Sequence, residues 1–365
     1  MTGFKWSPRA FTLAQDRFEK LADDSDGYLY DMLRKPVFES GKAGLLNLLL
    51  IHHDKLIKEV AVSAGCTPAM LRKINSNLAE VGTLYANSND RSRERIEKVW
   101  DDLGFDLPTS GDANLEQYDQ GAYNFGSDYP PHGYPGKGDF SIQDTVNFIL
   151  GLPKSAVLPQ GGLKNPALQA IWDMTCGLWE ELCTLIASLL SGDWDTIYTA
   201  GDAMTNASDY WINLGAITRR AAGTLFSTWD GNASEHAEHF VAKICDLYDE
   251  AARDISECGE SYKLHAHGCY VVFNEVKGVI PGIPDSMKML FQFLDKADKN
   301  ASPIGIPLPD LSAINDLIKM INKSIAEVTS TLLKVIQVIK AIVGVALAAQ
   351  GLFADYNNEM KGALG

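Results

Sequence analysis

Two runs of apolar residues at helical spacing, divided by the tripeptide Trp229-Asp230-Gly231, constrain this chain more than any other feature. Before the tripeptide, Ile197, Ala200, Met204, Ala207, Trp211, Leu214, Ile217, Ala221 and Leu225 recur every three or four residues. After it the spacing resumes through Phe240, Ile244, Leu247, Ala251, Ile255, Cys258, Tyr262, His265, Cys269, Val272 and Val276. Residues three and four apart share one face of an α-helix, so each run is the apolar side of a long amphipathic helix. Such a face must be buried, and its nearest complement lies just across the turn. The pattern predicts an antiparallel hairpin over residues 194–276, with Gly231 in the left-handed conformation at its corner and Asn232 or Ser234 capping the second helix. A helix of about 40 residues rises about 60 Å, which predicts an elongated rod.

Similar stripes run through the rest of the chain. Phe11, Ala14, Phe18 and Leu21 predict a first helix that ends near Lys35-Pro36 and Gly41. Leu45 to Val62 predicts a second, ending at Ala64-Gly65; Thr67-Pro68 then reads as the cap and first turn of another, carrying Leu71, Ile74, Leu78, Val81 and Tyr85. The charged run Asp90 to Lys98 reads as a solvated face, and residues 104–139, rich in Gly, Pro, Tyr and Asp, as a linker or wrapping loop. Short helices broken at Leu152-Pro153 and Gln160-Gly161-Gly162 precede an apolar helix from Pro166 to Leu190, with Trp172, Trp179, Leu182 and Leu189 inward. Pro281, Pro284, Pro303, Pro307 and Pro309 mark a connector around a short helix at 286–298. Ile314 through Ala346 form a further stripe, a long helix over 311–353.

The expected fold is therefore all-α: elongated antiparallel helical hairpins forming a bundle, with a Gly/Pro/Tyr-rich linker. The divisions are an N-terminal helical-hairpin unit at 1–103, the linker at 104–140, the tryptophan-turn hairpin with its preceding helix at 141–280, the connector at 281–310 and the last helix at 311–365. An apolar fraction of 46% supports a sizeable core. With 32 basic against 47 acidic residues the net charge is -15, which repels phosphate backbones and argues against nucleic acid as a partner. Six cysteines without a CxxC, mostly on apolar stripes, read as reduced core thiols. The opening MTGFKWSPRAFTLAQDRFEK lacks the basic start and apolar run of a general secretory signal, so if the protein leaves the cell another route must carry it.

Motifs for chemistry are weak. His52-His53-Asp54 has no Gly-X-Ser-X-Gly nucleophile and no paired carboxylates to go with it, and Gly133 to Gly138 lacks the GK[ST] ending of a phosphate loop. His236 and His239, one turn apart among Glu235 and Glu238, have metal-ligand spacing but read as a solvated acidic helix start. His265 falls on the apolar stripe and reads as a core or interhelical histidine rather than a titrating switch. No enzyme activity, cofactor or metal is expected. The 19 residues from Val335 to Phe353 approach bilayer-spanning length, but Gln337, Lys340 and Gln350 lie inside, and a lysine at mid-membrane costs about 2.5 kcal/mol. The segment reads foremost as a core helix, with membrane contact as the alternative.

The hairpin, with Gly192-Asp193-Trp194 before its first helix and Trp229-Asp230-Gly231 at its turn, resembles the Trp-X-Gly (ESX-like) family of type VII secretion substrates. It is most similar to the longer version at the N-terminus of actinobacterial channel and polymorphic toxin proteins. The N-terminal unit is similar to another group of type VII secretion targets, whose second helix ends in a Tyr-Ala-X-X-Asp type motif; Leu84-Tyr85-Ala86-Asn87-Ser88-Asn89-Asp90 is the matching stretch. The family's export signal is usually a tyrosine with an acid four residues on, facing the tryptophan-turn end of the partner helix. Here the residue four after Tyr85 is Asn89 and Asp90 is one further, whereas Tyr198 and Asp202 have the spacing but precede the turn. The resemblance implies a recognition motif of Trp229, Gly231, Tyr85 and Asp90, read by a secretion-system ATPase or chaperone. It also implies a protein secreted by a non-classical route after folding in the cytoplasm, with an interaction role. Further partners under this reading are a second copy of the chain or a neighbour-encoded toxin, for which the chain would be a delivery module. A membrane-active effector working through Val335 to Phe353 is a further alternative.

Overall fold

The computed structural model describes residues 6–25, 44–87, 141–160, 162–300 and 311–364. The Lys35-Pro36 step, the charged run after Asp90, the linker 104–140 and Pro303, Pro307 and Pro309 lie outside the described residues. Within them the chain is all-α: α1 (Pro8–Ser25), α2 (Leu46–Asn87), α3 (Ile142–Ser155), α4 (Pro166–Leu190), α5 (Asp195–Phe226), α6 (Asn232–Val279), α7 (Gly282–Asn300) and α8 (Leu311–Leu364).

The α5–α6 hairpin is the centre of the bundle, and its register is visible in two contacts. A Cβ on Gly259 would stand 2.5 Å from the carbonyl oxygen of Gly201, so the two backbones touch there. Nearer the turn, the Cys245 thiol donates to the carbonyl of Gly215 at 3.7 Å. Both pairs are equidistant from Asp230 in sequence, so the fold reverses at the tryptophan-glycine corner. The stripe on α6 shifts by one position in its second half. Ala266 and Phe273 are buried, while His265 and Val272 are only half-buried. His265 instead keeps Nδ1 within 2.6 Å of the Ser261 carbonyl, one turn back on its own helix.

Thr67-Pro68 does not start a new helix. α2 runs unbroken through Pro68, although proline removes one i→i−4 hydrogen bond. Packing explains the continuity, since Met70, Leu71, Val60 and Leu56 are all fully buried on one face. Thr67 Oγ1 also donates to the Ser63 carbonyl at 3.1 Å, supplying a hydrogen bond beside the gap. Likewise α3 continues through Pro153 to Ser155, and α7 begins at Gly282, before Pro284.

α1 lies antiparallel on the C-terminal half of α2, with Arg72 bonded to Asp23 at one end and Phe11 beside Gly82 at the other. α8 packs along α2 and α6. The α2–α8 contact holds a buried polar knot: Ser63 Oγ donates to Asn357 Oδ1 at 2.6 Å, and Asn357 Nδ2 donates to the Glu59 carbonyl at 3.0 Å. Lys73 Nζ donates to the last carbonyls of α8, Ala363 and Leu364, where a cation complements the helix dipole. The buried residues of all these helices form one contiguous core.

The Gly192-Asp193-Trp194 opening is a second knot. Gly192 takes φ 130°, turning the chain from α4 into α5. Trp194 is fully buried, donating its indole N–H to the Leu190 carbonyl at 2.9 Å and packing edge-on against Phe273. The Asp195 carboxylate accepts the backbone N–H groups of Ile142 and Gln143 at 2.7 and 3.1 Å, an anion at the N-terminus of α3.

Candidate functional site

The hairpin corner is built from few atoms. α5 ends with Ser227 N–H donating to the Gly223 carbonyl and Thr228 N–H to that of Leu225. The chain then turns through Trp229 and Asp230 to Gly231, whose φ of 125° and ψ of 171° are open essentially to glycine alone. This is not the left-handed helix end that the sequence suggests: ψ is extended, and Gly231 stands at the N-cap of α6 rather than after α5. Neither Asn232 nor Ser234 caps α6 with its side chain. Gly231 O instead accepts the N–H groups of Ser234 and Glu235, and Ser234 Oγ donates to the Trp229 carbonyl at 2.6 Å, stapling the turn.

That staple drives the Trp229 side chain inward, where it is 1% exposed. Its indole N–H donates to the hydroxyl of Tyr85 at 3.2 Å, across 144 residues of sequence. The rings of Tyr85 and Trp229 meet edge to face at 6.0 Å, and Phe11 and Phe226 pack on the tryptophan at 5.0 and 6.2 Å. Trp6 stacks on Tyr85 at 5.7 Å. The joint thus draws on three elements: α2 brings Tyr85, the hairpin turn brings Trp229, and α1 with Trp6, two residues before it, closes over both. Edge-to-face and stacked aromatic pairs add about 0.5–1.5 kcal/mol beyond burial, so the joint is firmly packed. Ser227, Asp230, Gly231, Asn232 and Glu235 remain exposed around it.

Of the residues singled out from sequence, Trp229, Gly231 and Tyr85 therefore come together, and Asp90 lies outside the described residues. Trp6 and Phe11 complete the joint and carry no motif; only a three-dimensional contact reveals them. Tyr198 and Asp202 are elsewhere. Tyr198 lies 28 positions before the last residue of α5, about 42 Å from the corner end of that helix, and Asp202 pairs with Lys263 at 3.5 Å. Burial raises the Asp202 carboxyl above the ordinary range, and Lys263 opposes that shift.

His236 and His239 are half-buried at the start of α6, and no group of three or more metal-ligating side chains is found among the described residues. His53, by contrast, is 2% exposed, its ring nitrogen Nδ1 3.4 Å from the hydroxyl of Tyr262. Burial pulls its pKa down to about 4, so it stays neutral in the core. Burial also pushes the thiols of Cys245, Cys258 and Cys269 up to about 12, which keeps them protonated and unreactive at neutral pH. Lys340 is exposed while Val335, Ile339, Ile342, Ala346 and Phe353 of the same segment are buried in the bundle.

No protein-family profile, curated protein or solved structure matches the chain. The fold defines the class on its own terms: an all-α bundle of long helices.

Proposed function

We propose that the protein is a non-enzymatic secreted substrate or interaction component of a type VII (ESX-like) pathway, recognised at the joint of Trp229 and Tyr85. One observation carries the reading. The tryptophan turn and the tyrosine, which the resemblance treats as the two halves of an export signal on facing helices, sit within one hydrogen bond of each other in a single chain. Two hairpins fused in one polypeptide would then supply what single-hairpin relatives obtain by pairing. Because both side chains are buried, the reader would be an ATPase or chaperone that grips the exposed rim of the turn, at Asp230, Gly231 and Glu235.

The membrane-active alternative is weaker, since the outward side of α8 carries Lys340 and Gln337. The test is export. With the ATPase of the producing cell's type VII system inactivated, the protein is expected to vanish from the culture supernatant and accumulate inside. An unchanged supernatant level would sink the reading.

A further inference from the structure

α8 is buried on one side and uncovered on the other. Between Val335 and Asp355 only Val335, Ile339, Ile342, Ala346, Ala349 and Phe353 are buried, a single face of the helix. Along the middle of the uncovered side, Lys340, Gly344, Leu347, Gly351 and Asp355 are all exposed, at spacings of four, three, four and four. That near-heptad seam is what a helix offers to another helix. Leu347 is 46% exposed and Leu352 beside it 50%.

The seam is complementary to itself when reversed. About a point between Leu347 and Ala348, Gly344 is equidistant with Gly351, Lys340 with Asp355, and Gln337 with Asn358. Laid antiparallel on a second α8, each Lys340 meets the partner's Asp355, each amide meets an amide, and the glycines face each other. Among the described residues Lys340 and Asp355 make no ion pair within the chain, whereas Lys334 nearby is held by Glu275 at 3.6 Å. Nothing stands within 4 Å of where a Cβ would be on Gly344 or Gly351, so the backbone is open to close approach. Small residues at the contact bring axes to the short end of the roughly 8–10 Å range.

From this we infer that the exposed face of α8 binds a second copy of the chain, antiparallel, about a two-fold axis at Leu347 and Ala348. Such a contact is isologous: each favourable pair occurs twice, and the contact closes on itself without propagating. A bilayer is a poorer occupant of the same face: Lys340 and Asp355 lie on the midline of that face, hydrocarbon offers neither of them a partner, and the reversed helix pairs them. The inference does not depend on the secretion reading and is tested in purified protein.

Sedimentation velocity of the full chain across the micromolar range is expected to show a monomer–dimer equilibrium. Lys340→Asp sets two acids against each other twice over and should weaken the dimer roughly tenfold, since exposed pairs are worth up to about 1 kcal/mol each. Asp355→Lys should do the same, and Lys340→Asp with Asp355→Lys should restore the affinity. Gly344→Phe should abolish dimerisation while leaving helix content intact, because the position is open. Ala348→Cys, beside the axis, should cross-link two copies on mild oxidation. A chain monomeric throughout, a dimer indifferent to these variants, or a monomer that partitions onto phosphatidylcholine–phosphatidylglycerol vesicles would each overturn the proposal.

Discussion

Gly231 has nothing within 4 Å of where a side chain would begin, so space is not what requires glycine there; the backbone angles are. Gly231→Ala must hold φ near 125° against steric opposition, at a cost of about 1–3 kcal/mol. Gly223, eight residues earlier, is equally open but lies inside α5, where alanine is the better helix former. Gly223→Ala should therefore stabilise by about 0.4–1 kcal/mol, and urea unfolding of the two variants should move the midpoint in opposite directions. His53 sets a pH dependence. Burial holds its pKa at about 4 in the folded protein against an ordinary 6.5, so between these the unfolded chain binds the proton that the folded one refuses. Stability is untouched above pH 6.5, then falls as the pH drops toward 4, by about 3 kcal/mol at the lower end. His53→Gln should flatten that part of the urea-midpoint profile relative to wild type; an unchanged slope would mean the histidine is hydrated in the native state. In the sequence this histidine is visible only as half of a His-His pair, whereas His265 looks central. Three and four residues after Tyr262 are both compatible with the period, and it is Ala266 that the bundle buries.

At the scale of the helix pair, contact rests on missing side chains. A Cβ on Gly259 would meet the Gly201 carbonyl at 2.5 Å and the Thr205 backbone nitrogen at 2.8 Å, and neither can rotate away. Gly259→Ala must push α5 and α6 apart, with an expected loss of about 1–3 kcal/mol in chemical denaturation despite alanine's better helix propensity. A stabilised variant would show that the helices are not held at that distance. Elements are the most legible level of the sequence. The stripes place α5 and α6 well and find α8, which runs past its expected end at Phe353 to Leu364, and Pro166 and Leu190 bound α4 as the pattern indicates, because Asn165 accepts the Ala167 N–H as a cap and proline suits the first turn. Breaks are less legible. Pro68 carries a strong local stop signal that buried neighbours override, since one lost backbone bond weighs less than a continuous apolar face, whereas at Pro153 the helix runs only two residues further, to Ser155, through exposed positions.

Across the whole molecule, what joins the helices is the least legible, because no period reports a contact between distant positions. The tryptophan corner can be read directly, and Tyr85 can be tied to it only through a resemblance; Trp6, Phe11 and the Ser63–Asn357 bond come from the structure alone. Those contacts determine how the chain unfolds. A boundary near residue 103 separates stretches of sequence, but α2 shares its buried face with α8 and its end with the hairpin corner, so no described seam divides the core. Asn357→Ala removes the acceptor of the Ser63 hydroxyl and the donor to Glu59 at a site 2% exposed, a loss of about 2 kcal/mol. Tyr85 lies 22 residues from Ser63, about 33 Å along α2, so the hairpin corner is far from the lesion. If the bundle unfolds as one unit, the slowest-exchanging amides of α5 and α6 should accelerate by the same factor as those of α8, roughly 30-fold for 2 kcal/mol. Acceleration confined to α2 and α8, with α5 and α6 unchanged, would instead mean that the hairpin stands as an independent folding unit.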